Sequence, residues 1–208
     1  MEESLNMFDR KKGMMEKVKI ERQTRETNIE LSLRLYGSGS CNAKTPIGFF
    51  SHMIEAFAGN SLIDIYLDAK GDIWVDEHHT VEDIGIALGR ALAKALGDKK
   101  GINRYGTAII PMDESLASVS IDLAGRYAFV FDAEFSRDKV GDMPTELVYD
   151  FFDALAQNAK MALHIKLLNG RNDHHKIEAI FKAFGVALRK AMEPDPRRKG
   201  IPSTKGLL

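Results

Sequence analysis

The pattern His-His-x-x-Glu occurs twice in this chain, as His78-His79-Thr80-Val81-Glu82 and as His174-His175-Lys176-Ile177-Glu178. Each copy follows an acidic residue and opens an apolar run with helical spacing. The chain holds 6 histidines, and four of them stand in these pairs. Imidazole and carboxylate together are the usual donor set for a divalent transition metal. One such pair at a helix start can serve as a polar cap. Two copies with Glu at the same offset point instead to a ligand set.

The copies belong to a longer repeat. A shift of 96 residues places His78 on His174, His79 on His175, Glu82 on Glu178, Gly89 on Gly185 and Leu92 on Leu188. A shift of 98 places Ala56–Asn60 on Ala154–Asn158. The sequence therefore reads as a duplication, with halves near residues 20–100 and 101–194. Alternation at Ile29, Leu31, Leu33 and Leu35, and again at Ile63, Ile65 and Leu67, predicts half-buried strands. Residues 46–58 and 80–96 carry helical patterns. The second half reads as strands near 105–111, 117–123, 127–135 and 161–167, with helices over 145–158 and 176–192. Each half is thus expected to run strand, helix, strand, helix. The class is α+β, two similar βα halves, each a sheet with helices packed on one face.

Residues 1–19 mix acidic and basic side chains without an apolar run and are read as a charged extension rather than a secretory signal. Residues 195–208 carry no periodicity and are read as a coil. The apolar fraction of 44% suits a buried core. A formal net charge of −1 gives no reason to expect nucleic acid or a membrane as partner. Cys41 is the only cysteine, which permits a reducing compartment, and the cytoplasm is the default location.

Residues four apart on a helix share a face, so His78 can act with Glu82, and His174 with Glu178. The neighbouring His79 and His175 point about 100° away and cannot easily serve the same ion. The economical arrangement is two ions, each bridging the two motifs: one on His78, Glu82 and a histidine of the second pair, the other on His174, Glu178 and a histidine of the first. His52 and His164 remain to complete the sets, and open positions would take substrate or water. Such a mixed N/O set suits Mn, Fe, Co, Ni or Zn better than Ca or Mg.

Longer motifs surround these residues. They are Arg25-Glu26-Thr27, Gly48-Phe49-Phe50-Ser51-His52-Met53, Gly71-Asp72, Asp76 to Gly85, Asn103-Arg104-Tyr105-Gly106, Pro111-Met112-Asp113-Glu114, Asn172 to Phe184, and Pro202-Ser203-Thr204-Lys205-Gly206. On them the chain resembles the imidazoleglycerol-phosphate dehydratase family of histidine biosynthesis, from about Arg22 to Gly206. The resemblance implies a fold of the ribosomal protein S5 domain 2-like type and a homo-oligomer of 24 subunits built from trimers. It also implies two Mn²⁺ ions per active site at a subunit boundary, with ligands from both halves. The small-molecule partner would be imidazole glycerol phosphate, dehydrated to imidazole acetol phosphate. By the family pattern Glu178, then Glu26, would move the carbon proton, with Asp113 and Glu114 in a further shared motif. Glu26, Arg104, Arg126, Lys182, Ser203 and Lys205 would bind substrate, the cations and hydroxyls among them on the phosphate.

That reaction is chemically coherent. No carbonyl activates the carbon proton. An imidazole ring held between two cations can lose its N–H. The resulting metal-bound imidazolate can expel the side-chain hydroxyl to give a diazafulvene, and a carboxylate then moves the carbon proton. Three positions depart from the family pattern. Ser51 stands where Asp or Asn is usual, Ala56 where Gln is usual, and Tyr127 where a proline follows the arginine. A dinuclear metal hydrolase and a non-catalytic, metal-assembled protein are the competing readings of the same ligands.

Overall fold

The computed structural model describes residues 16–206. The first half contains β1 (Val18–Gln23), β2 (Thr27–Arg34), β3 (Cys41–Lys44), α1 (Gly48–Ser61), β4 (Asp64–Gly71) and α2 (His78–Leu96). The second contains β5 (Tyr105–Met112), β6 (Ser115–Asp122), β7 (Ala128–Asp132), a short hairpin of β8 (Lys139–Val140) and β9 (Met143–Pro144), α3 (Leu147–Ala159), β10 (Ala162–Asn169) and α4 (Asp173–Met192). The first sheet has the order β1-β2-β4-β3 and the second β5-β6-β10-β7. In both, the last pairing is parallel and the other two are antiparallel. The two halves therefore share one topology, as the repeated sequence requires.

Each half has a four-stranded sheet where alternation marked fewer strands in the first. β1 and β3 are the additions there. β1 takes in Val18 and Lys19, which the sequence assigned to a charged extension. Its buried-side residues are only partly covered, and Lys19, Glu21 and Gln23 face outward. That composition hides a strand from a hydrophobicity pattern, and pairing with β2 supplies the order instead. Residues 1–15 of the predicted extension lie outside the described residues.

The sheets are the outer layers. α2 packs on β1 and β2, and α4 on β5 and β6. Across the middle, α1 packs on α4 and α2 on α3, so helices of one half meet helices of the other. Ile29, Leu31, Phe50, Phe57, Leu88, Phe152, Phe181 and Phe184 all fall in one continuous buried cluster that spans both halves. The crossings are close because glycine stands at the contact. A Cβ on Gly89 would lie 2.6 Å from the Leu155 carbonyl oxygen and 2.8 Å from the Asn158 Cβ. A Cβ on Gly185 would lie 2.8 Å from the Phe57 carbonyl oxygen and 3.0 Å from the Asn60 Cβ. The equivalence of Gly89 and Gly185 under the 96-residue shift is thus an equivalence of packing.

Both crossings are parallel. His52 of α1 meets His174 near the start of α4, and Phe57 meets Gly185 farther along. The segment between β7 and α3 ties the helix starts together. Asp142 accepts from the backbone N–H groups of Gly48 (2.5 Å) and Phe49 (3.0 Å) at the start of α1. Asp173 at the start of α4 accepts from the N–H groups of Ser136 and Arg137, each at 2.8 Å. Lys139 pairs with Glu77, just before α2, at 3.0 Å. The four helices therefore begin on one edge of the molecule, and both histidine motifs lie there. Among the described residues, no helix is long and apolar enough to cross a membrane.

Two outcomes follow from this packing. Gly185→Ala puts its methyl against backbone that cannot rotate away, and an overpacked contact of this kind costs about 1–3 kcal/mol. Urea denaturation checks it, and a loss below about 0.5 kcal/mol, the range of a neutral substitution, contradicts the close crossing. At the turn between β2 and β3, Asp64 accepts from the Ser38 and Ser40 N–H groups and pairs with Arg34. Burial pushes its carboxyl up, but Arg34 and the two N–H groups outweigh burial and hold it at about 2. Its contribution is therefore complete above the ordinary value of about 3.9 and is lost as pH falls toward 2. The stability difference between wild type and Asp64→Asn is expected to shrink over that window and to be flat above it. A difference that grows on acidification contradicts the assignment.

Candidate metal centre

α1 delivers His52 and α4 delivers His174 and Glu178 to one point on the shared edge. The Glu178 Oε2 lies 3.3 Å from the His174 Nε2 and 3.8 Å from the His52 Nε2. One donor atom from each of the three residues falls within 4.8 Å of the others, a spacing that one ion can span. The His52 and His174 side chains are 48% and 40% exposed, whereas Glu178 is only 9% exposed. The imidazoles are thus open to solvent, and the carboxylate beneath them is set in the fold. Phe49 packs edge-on against His174 with ring centroids 5.0 Å apart. Lys182, one turn on, holds the other Glu178 oxygen at 2.8 Å. Burial pushes the Glu178 carboxyl up; Lys182, with His52 and His174, outweighs burial and holds it below the usual carboxylate range. An ionised oxygen between two imidazoles fits a mixed N/O metal site.

α2 begins with the same four-residue His–Glu spacing, but two carboxylates approach opposite ring nitrogens of one imidazole there. His78 Nε2 lies 3.7 Å from Glu82 Oε2, and His78 Nδ1 lies 3.7 Å from Asp150 Oδ2 on α3. The second histidine of each pair turns away. The rings of His78 and His79 are inclined by 79°, and so are those of His174 and His175. His79 approaches Asp72 at 3.2 Å and Glu26 at 3.9 Å. The Asp72 hydrogen bond raises the His79 pKa above its ordinary value. His175 approaches Glu114 at 2.8 Å and Asp113 at 3.6 Å. The Asn172 N–H and then His175 hold the Glu114 carboxyl at about 2. Glu26 sits in the β1–β2 turn and Asp113 and Glu114 in the β5–β6 turn, so these two clusters are also related by the duplication.

A single chain brings together only part of the expected ligand set. Within one chain and among the described residues, the donors of His52, His174 and Glu178 converge without a histidine of the first pair. Nor does a histidine of the second pair join His78 and Glu82. His79 and His175 are directed to their own carboxylates instead. His164 alternates with buried Leu163 and Ile165 and so faces outward from β10, away from the His52 cluster of its own chain. Arg104 is engaged, with its guanidinium bonded to both Asp122 oxygens at 2.6 and 3.0 Å and to the Pro202 carbonyl oxygen at 2.8 Å. It holds the tail that carries Ser203 and Lys205. Arg126 is exposed between β6 and β7. The Arg104 N–H also donates to the Ala191 carbonyl oxygen, at the far end of α4 from His174. Seventeen residues of helix at 1.5 Å each separate those ends by about 25 Å. Arg104, Ser203 and Lys205 therefore do not join the His52 cluster of their own chain.

Comparisons with known proteins show the family. The sequence model of the imidazoleglycerol-phosphate dehydratase family matches residues 45–188. The chain belongs to this family. An imidazoleglycerol-phosphate dehydratase of Clostridium botulinum is 57% identical over 190 residues, covering 91% of this chain and 97% of its own. One from Streptococcus mutans is 55% identical, covering 93% of this chain and all of its own. The crystal structure of the Staphylococcus aureus dehydratase superposes with a TM-score of 0.79 at 40% identity, over 86% of this chain and 100% of its own. That of Pyrococcus furiosus gives 0.78 at 35% identity, over 91% and 100%. Dehydratases of this family are hydro-lyases, and so is this chain, which sets aside the hydrolase and the non-catalytic readings.

Sequence reasoning missed Asp72, Asp142 and Asp150. Asp72 stood beside Gly71 in a quoted motif. Asp150 was within reach of the 98-residue shift. Asp142 gave no signal, because its role is to cap a helix that starts 94 residues earlier. Asp142→Ala removes both acceptors at the start of α1, and losing such a cap costs about 1–2 kcal/mol. Hydrogen exchange at the Phe49 amide is expected to accelerate along with that loss. Unchanged protection and stability contradict a capping role.

Proposed function

We propose that this chain dehydrates D-erythro-imidazole glycerol phosphate to imidazole acetol phosphate in histidine biosynthesis, with divalent cations held on the shared helix edge. The convergence of His52, His174 and Glu178 carries this reading. Mn²⁺ is the first choice of ion, two per active site, with other divalent transition metals as substitutes. When bound, such cations supply Lewis acidity to the substrate's imidazole ring and ease loss of its N–H.

The protein's own groups do the rest. His52, His174 and Glu178 fix one position on the edge, and His78 and Glu82 fix the other. Glu178 has one oxygen facing the imidazoles and the other bonded to Lys182, so it is an ionised ligand first. Glu26 is half-exposed at the turn beside His79, with its carboxyl open to approach. Of the two carboxylates it is the freer to move a proton on the substrate carbon. Lys182, Arg126 and the tail residues Ser203 and Lys205 supply cations and hydroxyls for the phosphate.

The distance along α4 supports a reading in which those tail residues serve a different subunit's active site. A substrate cannot span about 25 Å between the His52 cluster and its own chain's tail. A second copy that lays its Arg104-anchored tail over this edge closes the gap. Trp74 and Val75, 83% and 64% exposed just before α2, offer apolar surface there for such a neighbour. The expected assembly is a closed homo-oligomer, of 24 subunits built from trimers, in the cytoplasm.

Turnover of imidazole glycerol phosphate tests the reading. Chelator is expected to abolish product and Mn²⁺ to restore it. Glu26→Gln is expected to lower kcat by about 10²–10⁴ with bound metal retained, as for loss of a general acid–base group. Glu178→Gln is expected to lower both activity and bound metal. Turnover that is indifferent to chelator, or a Glu26→Gln variant with full kcat, contradicts it.

A further inference from the structure

Glu26 and Glu114 are equivalent in the repeat, yet their turns are held in different ways. A shift of 88 residues lays the β1–β2 pair on the β5–β6 pair and places Glu26 on Glu114. Glu114 holds its turn with its own carboxyl. One oxygen accepts from the Arg171 and Asn172 N–H groups at 3.2 and 2.8 Å, and the other meets His175 at 2.8 Å. The Glu26 side chain is 52% exposed and comes within 3.9 Å of His79. Its turn is held from behind. Thr24 Oγ1 accepts from the Glu26 and Thr27 N–H groups at 3.1 and 2.9 Å and lies 3.2 Å from Thr27 Oγ1. Thr27 Oγ1 donates to Asp83 Oδ2 at 2.5 Å, and Arg22 donates to Asp83 Oδ1 at 2.6 Å. Asp83 is buried and directly follows Glu82 on α2. Under the repeat, Arg22, Thr24 and Asp83 fall on Ile110, Met112 and Ala179, so the second half cannot build this clasp.

We propose that Asp83 is a positioning residue for Glu26, which it sets on α2 through a one-way relay of hydrogen bonds. This rests on the proton-moving role given to Glu26 above. A hydroxyl has one proton to donate and two lone pairs. Thr27 gives its proton to the Asp83 carboxylate, so the Thr24 hydroxyl must donate to Thr27. Both lone pairs of Thr24 are then free for the two N–H groups of the turn. A carboxylate paired with a guanidinium accepts only, and that fixes the direction of the relay. Were the relay reversed, Thr24 would face three hydrogens with two lone pairs. The Glu26 carbonyl oxygen in turn accepts from the Asp72 N–H at 3.1 Å. Both backbone groups of Glu26 are thereby fixed, and its carboxyl has no part in holding the turn. Asp83 points about 100° away from Glu82 on the same helix, so one stretch of α2 faces the helix edge and anchors this turn. Glu114 lacks the clasp and spends its carboxyl on the backbone instead. The duplicated turns thus give one carboxylate that is structural and one that is free to react.

Turnover of imidazole glycerol phosphate by the full-length, Mn²⁺-loaded protein tests this. Asp83→Asn turns an amide N–H toward Thr27 or Arg22, and Thr27→Val removes the hydroxyl but keeps the Asp83–Arg22 pair. Each is expected to lower kcat by about 10–10²-fold, the scale of a misplaced reacting group. KM and bound Mn²⁺ are expected to stay within about two-fold, as for an interaction felt in the transition state. Thr27→Ser keeps the relay and is expected to restore kcat. The deciding variant is Thr27→Val combined with Glu26→Gln. If the relay acts through Glu26, the pair is no slower than Glu26→Gln alone, because contacting residues of one network do not add. Assembly size and circular dichroism establish that each variant is folded, and Thr27→Val decides the matter if Asp83→Asn does not assemble. Full kcat in Thr27→Val, or a loss that multiplies onto that of Glu26→Gln, overturns the positioning role and leaves the role of Glu26 standing. Full kcat in Glu26→Gln itself overturns both.

Discussion

Two parallel helix crossings, each closed by a glycine, hold this molecule together and create its chemistry. Had α1 and α4 met farther apart, His52 would not reach the turn of His174 and Glu178. Had they run antiparallel, the histidines would stand at opposite ends of the helix layer. Gly89 and Gly185 let backbone approach backbone, and the parallel direction brings the helix starts to one edge. Four helix N-termini on that edge present partial positive charge, which disfavours a cation on its own. Glu178, Glu82, Asp150, Asp173 and Asp142 supply the negative charge that offsets it.

The same duplication that builds the scaffold also divides labour between equivalent residues. His174 and His78 keep the same relation to Glu178 and Glu82. Their neighbours His175 and His79 turn to carboxylates borne on the hairpin turns of each sheet. A chain made of two copies has thereby two inward and two outward imidazole clusters. The inward clusters lie on the chain's own edge, and the outward ones are directed toward its surroundings. A tail anchored at the opposite end of α4 is the feature from which the proposed assembly is argued.

Much of this was readable in the sequence. The helices and the central strands showed because they bury one face and leave a regular apolar period. β1 did not, since only Val18 and Ile20 are apolar on its covered side before Arg22 breaks the pattern, and β3 is a four-residue edge strand with Cys41 and Ala43 as its partly buried side. His52 was recognisable only as company for the two pairs, whereas His164 had equal standing in sequence and faces outward from its sheet, away from the helices of its own chain. Side-chain direction on a strand follows from which neighbours are buried, and that depends on the sheet as a whole. The engagement of Arg104 by Asp122 was likewise invisible, because Arg104, just before β5, meets the end of β6 18 residues on.

The account stands on cations being held where His52, His174 and Glu178 converge. Diffraction from Mn²⁺-loaded crystals at the manganese absorption edge tests this most directly. An anomalous peak is expected about 2.0–2.3 Å from a nitrogen of each imidazole and an oxygen of Glu178, the range for nitrogen and oxygen metal ligands. A fully loaded, active protein with no peak at that position contradicts the account.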